Sequence, residues 1–163
     1  MKRYFLSALV VLCGCSYSNK WGKVNVKNEF TVDVPSWMDE KTDLKPGADF
    51  QYCNRFRNIY AVGFSAPKNG SLNDFYLKES QVLKNALTAP TLDDSTAGPI
   101  SGRNAIHTEL SGMMQGERIY YSVLAVEGDS KFYELCVWTR GEDRKLKYGA
   151  DLNRLLGSFQ LLH

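Results

Sequence analysis

The chain has 163 residues, of which 44% are hydrophobic and 23% charged. That is the size of one domain, with enough apolar material to bury a core, and it excludes a multidomain enzyme and a long disordered tail. Lys and Arg number 20 against 18 Asp and Glu, and setting aside Lys2 and Arg3 as part of a removable leader leaves 18 against 18. A neutral body without a basic block lacks the overall electrostatic footprint expected for nucleic acid or an anionic membrane surface.

Met1-Lys2-Arg3 is a short positive segment, and Tyr4 to Leu12 is apolar but too short to cross a bilayer core, which takes about 20 residues. Residues 1–14 therefore read as a signal peptide. Leu12-Cys13-Gly14-Cys15 resembles the lipobox of bacterial lipoproteins, with Cys15 at the acylated position. Cys13 departs from the small residues usual at its place in that motif. The resemblance implies a chain anchored in a membrane through lipid on Cys15 (a palmitate-type modification) and facing away from the cytosol. The same resemblance, extended to lipoprotein sorting, implies from Ser16 in place of Asp after the cysteine an outer-membrane location facing the periplasm in a Gram-negative cell. Residues 15–23 then form a lipidated tether, with 16–22 reaching about 23 Å at most, and residues 24–163 one folded domain.

Two cysteines remain, Cys53 and Cys136. An even number in an oxidising compartment permits a disulfide. Strand parity sends Cys53 to the side of Gln51 and Arg55, away from Phe50, Tyr52 and Phe56, and sends Cys136 to the side of Glu134. Both thiols can thus share a sheet face, either bridged or as two small buried hydrophobes.

Along the domain, Val24 and Val26 suggest a strand turned at Asn28-Glu29, and Phe30 to Pro35 alternates as a half-buried strand. Residues 36–47 read as loop, and 49–56 with 58–66 as a hairpin. Ser71 with Asp74 resembles a capping box, opening an amphipathic helix over 72–87. Residues 88–102, rich in Thr, Asp, Ser, Gly and Pro, read as the longest loop and as a place for function. Strands follow at 104–113, 117–127 and 131–140. The middle one is apolar on both faces, which demands cover on both sides. A helix over 143–156 and a short final strand close the chain. The pattern predicts an α+β fold with a mainly antiparallel sheet covered by helices.

The run Phe30-Thr31-Val32-Asp33-Val34-Pro35-Ser36-Trp37, then Tyr52-Cys53-Asn54, Ile59 to Val62, the helix from Ser71, the meander from Gly116 to Leu135 and the closing helix with Ser158-Phe159 resemble the PsbP-like fold, an α/β/α sandwich. The resemblance spans residues 24–162 in order and pattern. It implies a non-enzymatic binding or assembly accessory, which together with the lipobox reads as an accessory in the cell envelope for an envelope protein or a small ligand. It carries no site motif, so no catalytic, cofactor-binding or metal-binding residue is assigned by it and no cofactor is expected.

Chemistry has few candidates in the residues themselves. His107 and Glu109 are two apart on a strand and so share a face, the arrangement of a proton carrier or half a metal site, and they support an alternative reading as a small hydrolase or metal-dependent enzyme. A cysteine nucleophile would need Cys53 or Cys136 beside His107. Phosphate-cradling and dinucleotide glycine loops and serine elbows are missing from the sequence. Trp37, Met38, Met113 and Met114 sit in predicted loops or hairpin ends and are candidate partner contacts. A third reading makes the 88–102 loop the contact of an inhibitor-like protein.

Overall fold

The computed structural model describes residues 20–162, so the leader, Cys13, Cys15 and His163 lie outside the described residues. The chain runs β1 (Trp21–Val26), β2 (Phe30–Pro35), β3 (Asp39–Glu40), β4 (Phe50–Asn54), β5 (Ile59–Pro67), α1 (Leu72–Asn85), β6 (Thr88–Ile100), β7 (Arg103–Met114), β8 (Glu117–Glu127), β9 (Lys131–Arg140), α2 (Glu142–Gly157) and β10 (Gln160–Leu161). Trp21 to Lys23, expected in the tether, form the first half of β1. Their backbone pairs with Asp33 to Pro35, and the Trp21 ring packs against the core.

Seven strands form the main sheet in the order β3-β4-β5-β9-β8-β7-β6, and β1-β2-β10 form a small second sheet. Every described strand pair is antiparallel. The apolar pair β8 and β9 lies inside the main sheet, where covering both faces removes their apolar surface from water. On one face α2 and the small sheet bury Leu124, Leu135, Val137, Leu155, Leu156 and Phe159. On the other, α1 covers Ala125 and Phe132 through Leu72, Phe75 and Tyr76, and a neighbouring cluster gathers Val62, Leu110, Tyr121, Val123 and Cys136.

Local chemistry sets the boundaries. The Ser71 hydroxyl accepts from the Asp74 N–H at 3.1 Å while the Asp74 carboxylate accepts from the Ser71 N–H at 3.2 Å, satisfying two donors that the first turn of α1 leaves free. Gln115-Gly116, between the paired residues Met114 and Glu117, takes positive φ at both positions (52° and 82°), the two-residue turn whose twist matches a hairpin.

Residues 88–100 are a strand, correcting the expected loop. Ser101-Gly102, with φ of 51° and 77°, joins paired Ile100 and Arg103 as another two-residue turn and folds the preceding segment back along β7. The strand is exposed along nearly its whole length, so its polar side chains cost nothing in burial. Its outer position also tolerates Pro90 and Pro99, which lack an N–H to donate. The register slips between Thr88 and Thr91 and again between Leu92 and Asp94.

Candidate functional site

His107 and Glu109 share one face of β7, on the side of the main sheet where α2 lies. His107 Nε2 lies 2.8 Å from Ser122 Oγ on β8, and Glu109 accepts from Lys145 Nζ of α2 at 2.9 Å. Farther along β8, the Tyr120 hydroxyl donates to Glu142 at the start of α2. Burial and that acceptor push the Tyr120 phenol above its ordinary value. Three polar contacts thus run along the seam between the helix and the outer strands. Beyond them, Thr96, Ile100, His107, Leu124, Asn153 and Leu156 line a cleft of about 330 Å³.

The seam does not build a serine nucleophile. Ser122 is buried in mid-strand and its backbone is enclosed by ladders to Glu109 and Val137, so no free N–H pair stands beside the hydroxyl to stabilise an oxyanion. Glu109 lies directly across the ladder from Ser122, and its carboxylate is engaged by Lys145 Nζ. Among the described residues no group of three His, Cys, Asp or Glu side chains is placed to hold a metal.

The cysteines are on the opposite face from His107, which removes the Cys/His pairing. They do share that face, as parity requires, but not adjacent strands: Cys53 is opposite Tyr60 on β5, and Cys136 is opposite Val62 on the far side of the same strand. Two strand spacings plus two residues along the chain put them on the order of 12 Å apart, beyond the reach of a disulfide. Both are buried free thiols. Burial pushes the Cys136 thiol well above its ordinary value, so it is held as the unreactive neutral form.

Solved structures of similar shape come from distant organisms. The cyanobacterial PsbP of Synechocystis superposes with a TM-score of 0.67 at 13% identity, covering 91% of this chain and 96% of that one. The Ran-binding protein Mog1p of Saccharomyces cerevisiae gives 0.62 at 10% identity, covering 89% and 97%. LpqN of Mycobacterium tuberculosis, involved in cell envelope biogenesis, gives 0.55 at 12% identity, covering 89% and 87%. The fold is PsbP-like. No protein-family profile matches the sequence, and no curated protein matches it.

Within this PsbP-like body the four apolar partner candidates separate. Met38 is core, 6% exposed. The Met38 N–H bonds to the Pro35 carbonyl at 2.9 Å, and that turn carries the side chain under β2. Trp37 is half-buried against Tyr148 of α2, ring centroids 5.9 Å apart, with the Arg57 guanidinium 4.5 Å above it. Met113 and Met114 are half-buried at the end of β7, four strands from β4 across the sheet and so roughly 19 Å from the Trp37 region. They form no common surface with Trp37.

Two residues passed over in the sequence stand out. Phe56, expected on the apolar face of its strand, is 93% exposed. Strand β4 ends at Asn54, whose side chain accepts from the Arg57 N–H at 2.9 Å, and Asn58 takes a φ of 53°, so Phe56 belongs to the turn and strand parity no longer applies. Glu134 is 3% exposed, on the face covered by α1, and its Oε2 has no hydrogen-bond partner. Burial holds its carboxyl up at about 7 against the pull of Lys45, and Glu79 adds to the rise. The signal for Glu134 was available: a carboxylate alternating in register with Phe132, Cys136 and Trp138 on a strand covered on both sides.

Proposed function

We propose that this protein is a lipid-anchored, extracytoplasmic binding or assembly accessory of the cell envelope, not an enzyme. The observation that carries the reading is the apolar leader ending in Leu12-Cys13-Gly14-Cys15, six residues before the first strand of a PsbP-like body. Shape is consistent with it: one similar structure is a Ran-binding protein and another is involved in cell envelope biogenesis.

Metabolic labelling with palmitate tests the anchor. Label should enter the chain and be lost, together with membrane fractionation, in Cys15→Ala; an unlabelled wild-type chain refutes the anchor. Affinity capture of the anchored form in native membranes tests the accessory role. His107→Ala with Glu109→Ala should leave the phenotype unchanged, and a lost phenotype with intact folding would favour the enzyme reading.

A further inference from the structure

The end of the domain where the described chain begins gathers aromatic rings and cations. The Lys20 carbonyl accepts from the Ser36 N–H at 2.8 Å, which ties the start of β1 to the segment carrying Trp37. The Trp37 carbonyl accepts from Asn54 Nδ2 at 2.6 Å, which ties that segment to the β4–β5 turn. At the tip of the turn stands Arg55-Phe56-Arg57, with Phe56 almost wholly exposed. Arg57 covers Trp37 and lies 5.6 Å from the Tyr148 ring; Lys147 lies 5.3 Å from the same ring, and Arg154 sits 4.2 Å over Trp21. Acidic groups share this end: Asp43 pairs with Arg55 at 2.8 Å, Asp39 and Glu40 on β3 lie opposite Cys53 and Tyr52, Asp33 lies opposite Lys23, and Asp151 is one helical turn from both Tyr148 and Arg154.

We propose that the Arg55-Phe56-Arg57 tip docks into the phosphate-bearing bilayer surface to which the chain is anchored, Phe56 entering the headgroup boundary and the flanking arginines meeting lipid phosphates. This rests on the lipid anchor at Cys15 proposed above. From Cys15 to Trp21 the chain spans about 20 Å at full extension, so the end of the domain beside Trp21 is the end held near the lipid. An exposed ring beside two arginines matches that surface: the ring gains by leaving water, Arg55 can exchange its exposed pair with Asp43 for a bidentate contact with phosphate, Arg57 adds its charge from its stack on Trp37, and Trp and Tyr favour the same depth. Docking gives the domain a fixed orientation on the bilayer, turning the cleft by His107 and the β6 edge into surfaces of defined direction.

The test uses acylated protein reconstituted on vesicles of phosphatidylethanolamine and phosphatidylglycerol, with a nitroxide attached through Phe56→Cys and, as control, through Asn69→Cys in the exposed loop before α1. Flotation and palmitate labelling report the anchor; accessibility of the nitroxide to oxygen and to a polar relaxation agent reports depth. The probe at 56 should shift several-fold towards oxygen on vesicles, the probe at 69 should not, and Arg55→Glu with Arg57→Glu should abolish the shift. Floated, acylated protein whose probe at 56 stays in water overturns the docking and leaves the anchor standing. Protein that is neither acylated nor floated overturns both. Immobilisation of the probe without a gain in oxygen, appearing only when envelope proteins are added, marks a protein partner at the tip and overturns the bilayer assignment.

Discussion

The two faces of the main sheet handle polar side chains differently. Under α2, titratable groups sit at the seam and each has a partner: His107 with Ser122, Glu109 with Lys145, Tyr120 with Glu142. Under α1, Glu134 is buried with one oxygen unpaired, beside a buried thiol. A partnered polar group at a seam costs little, whereas an unpartnered acid inside is retained by holding its proton. The contrast predicts that the pH dependence of stability comes from the α1 face, and that the largest loss on side-chain deletion comes from the α2 face.

The largest effect should come from the doubly layered side. Phe159 stacks on Phe30 at 5.1 Å and meets Tyr133 at 6.2 Å, joining the small sheet to the main one. Phe159→Ala should cost about 3–5 kcal/mol in urea unfolding; a loss near that of a surface change would mean the small sheet is not energetically joined to the core.

Glu134→Gln should show the next largest effect, and only at higher pH. The folded-state value, raised from 4.5 to about 7, means that the neutral acid is the form the fold accepts. Stability is therefore full below the ordinary value and falls as pH rises through about 7, and the amide should remove that decline, a gain of a few kcal/mol at most. Parallel urea midpoints for the two proteins from acid to mildly alkaline pH would refute the unpaired-acid account.

Smaller losses sharpen the same contrast. Ser71→Ala, which removes the cap of the helix covering Glu134, should cost about 1 kcal/mol and lower α1 protection in hydrogen exchange. Glu109→Gln, which weakens the pair with the partly exposed Lys145, should cost under about 1 kcal/mol and leave the pH profile unchanged.

Much of this architecture was legible in the chain. Both helices, the capping box, strands β7 to β9 and the Gln115-Gly116 turn follow from periodicity and turn chemistry, and the two-sided apolar pattern of β8 foretold its interior place. What stayed hidden depended on neighbours rather than on pattern. Strand β6 looks like a loop because its outer edge buries nothing and needs no apolar alternation, although Ser101-Gly102 already signalled the hairpin. The cysteines share a face, as parity says, yet parity cannot count the strand between them. Phe56 followed the strand pattern on paper because the turn that expels it is closed by Asn54 and Asn58, whose roles appear only in the folded backbone. Parity puts His107 and Glu109 on one face, but their separate partners come from β8 and α2.

The long outer strand has a consequence for life at high density. An open row of backbone donors and acceptors invites sheets of neighbouring molecules to stack edge to edge into aggregates, and β6 leaves such a row uncovered. Pro90 and Pro99 delete two donors, Asp93 and Asp94 place like charges where a second copy would pair, and the two slips in register keep the strand from running flat. Molecules crowded side by side can then collide through this edge without polymerising.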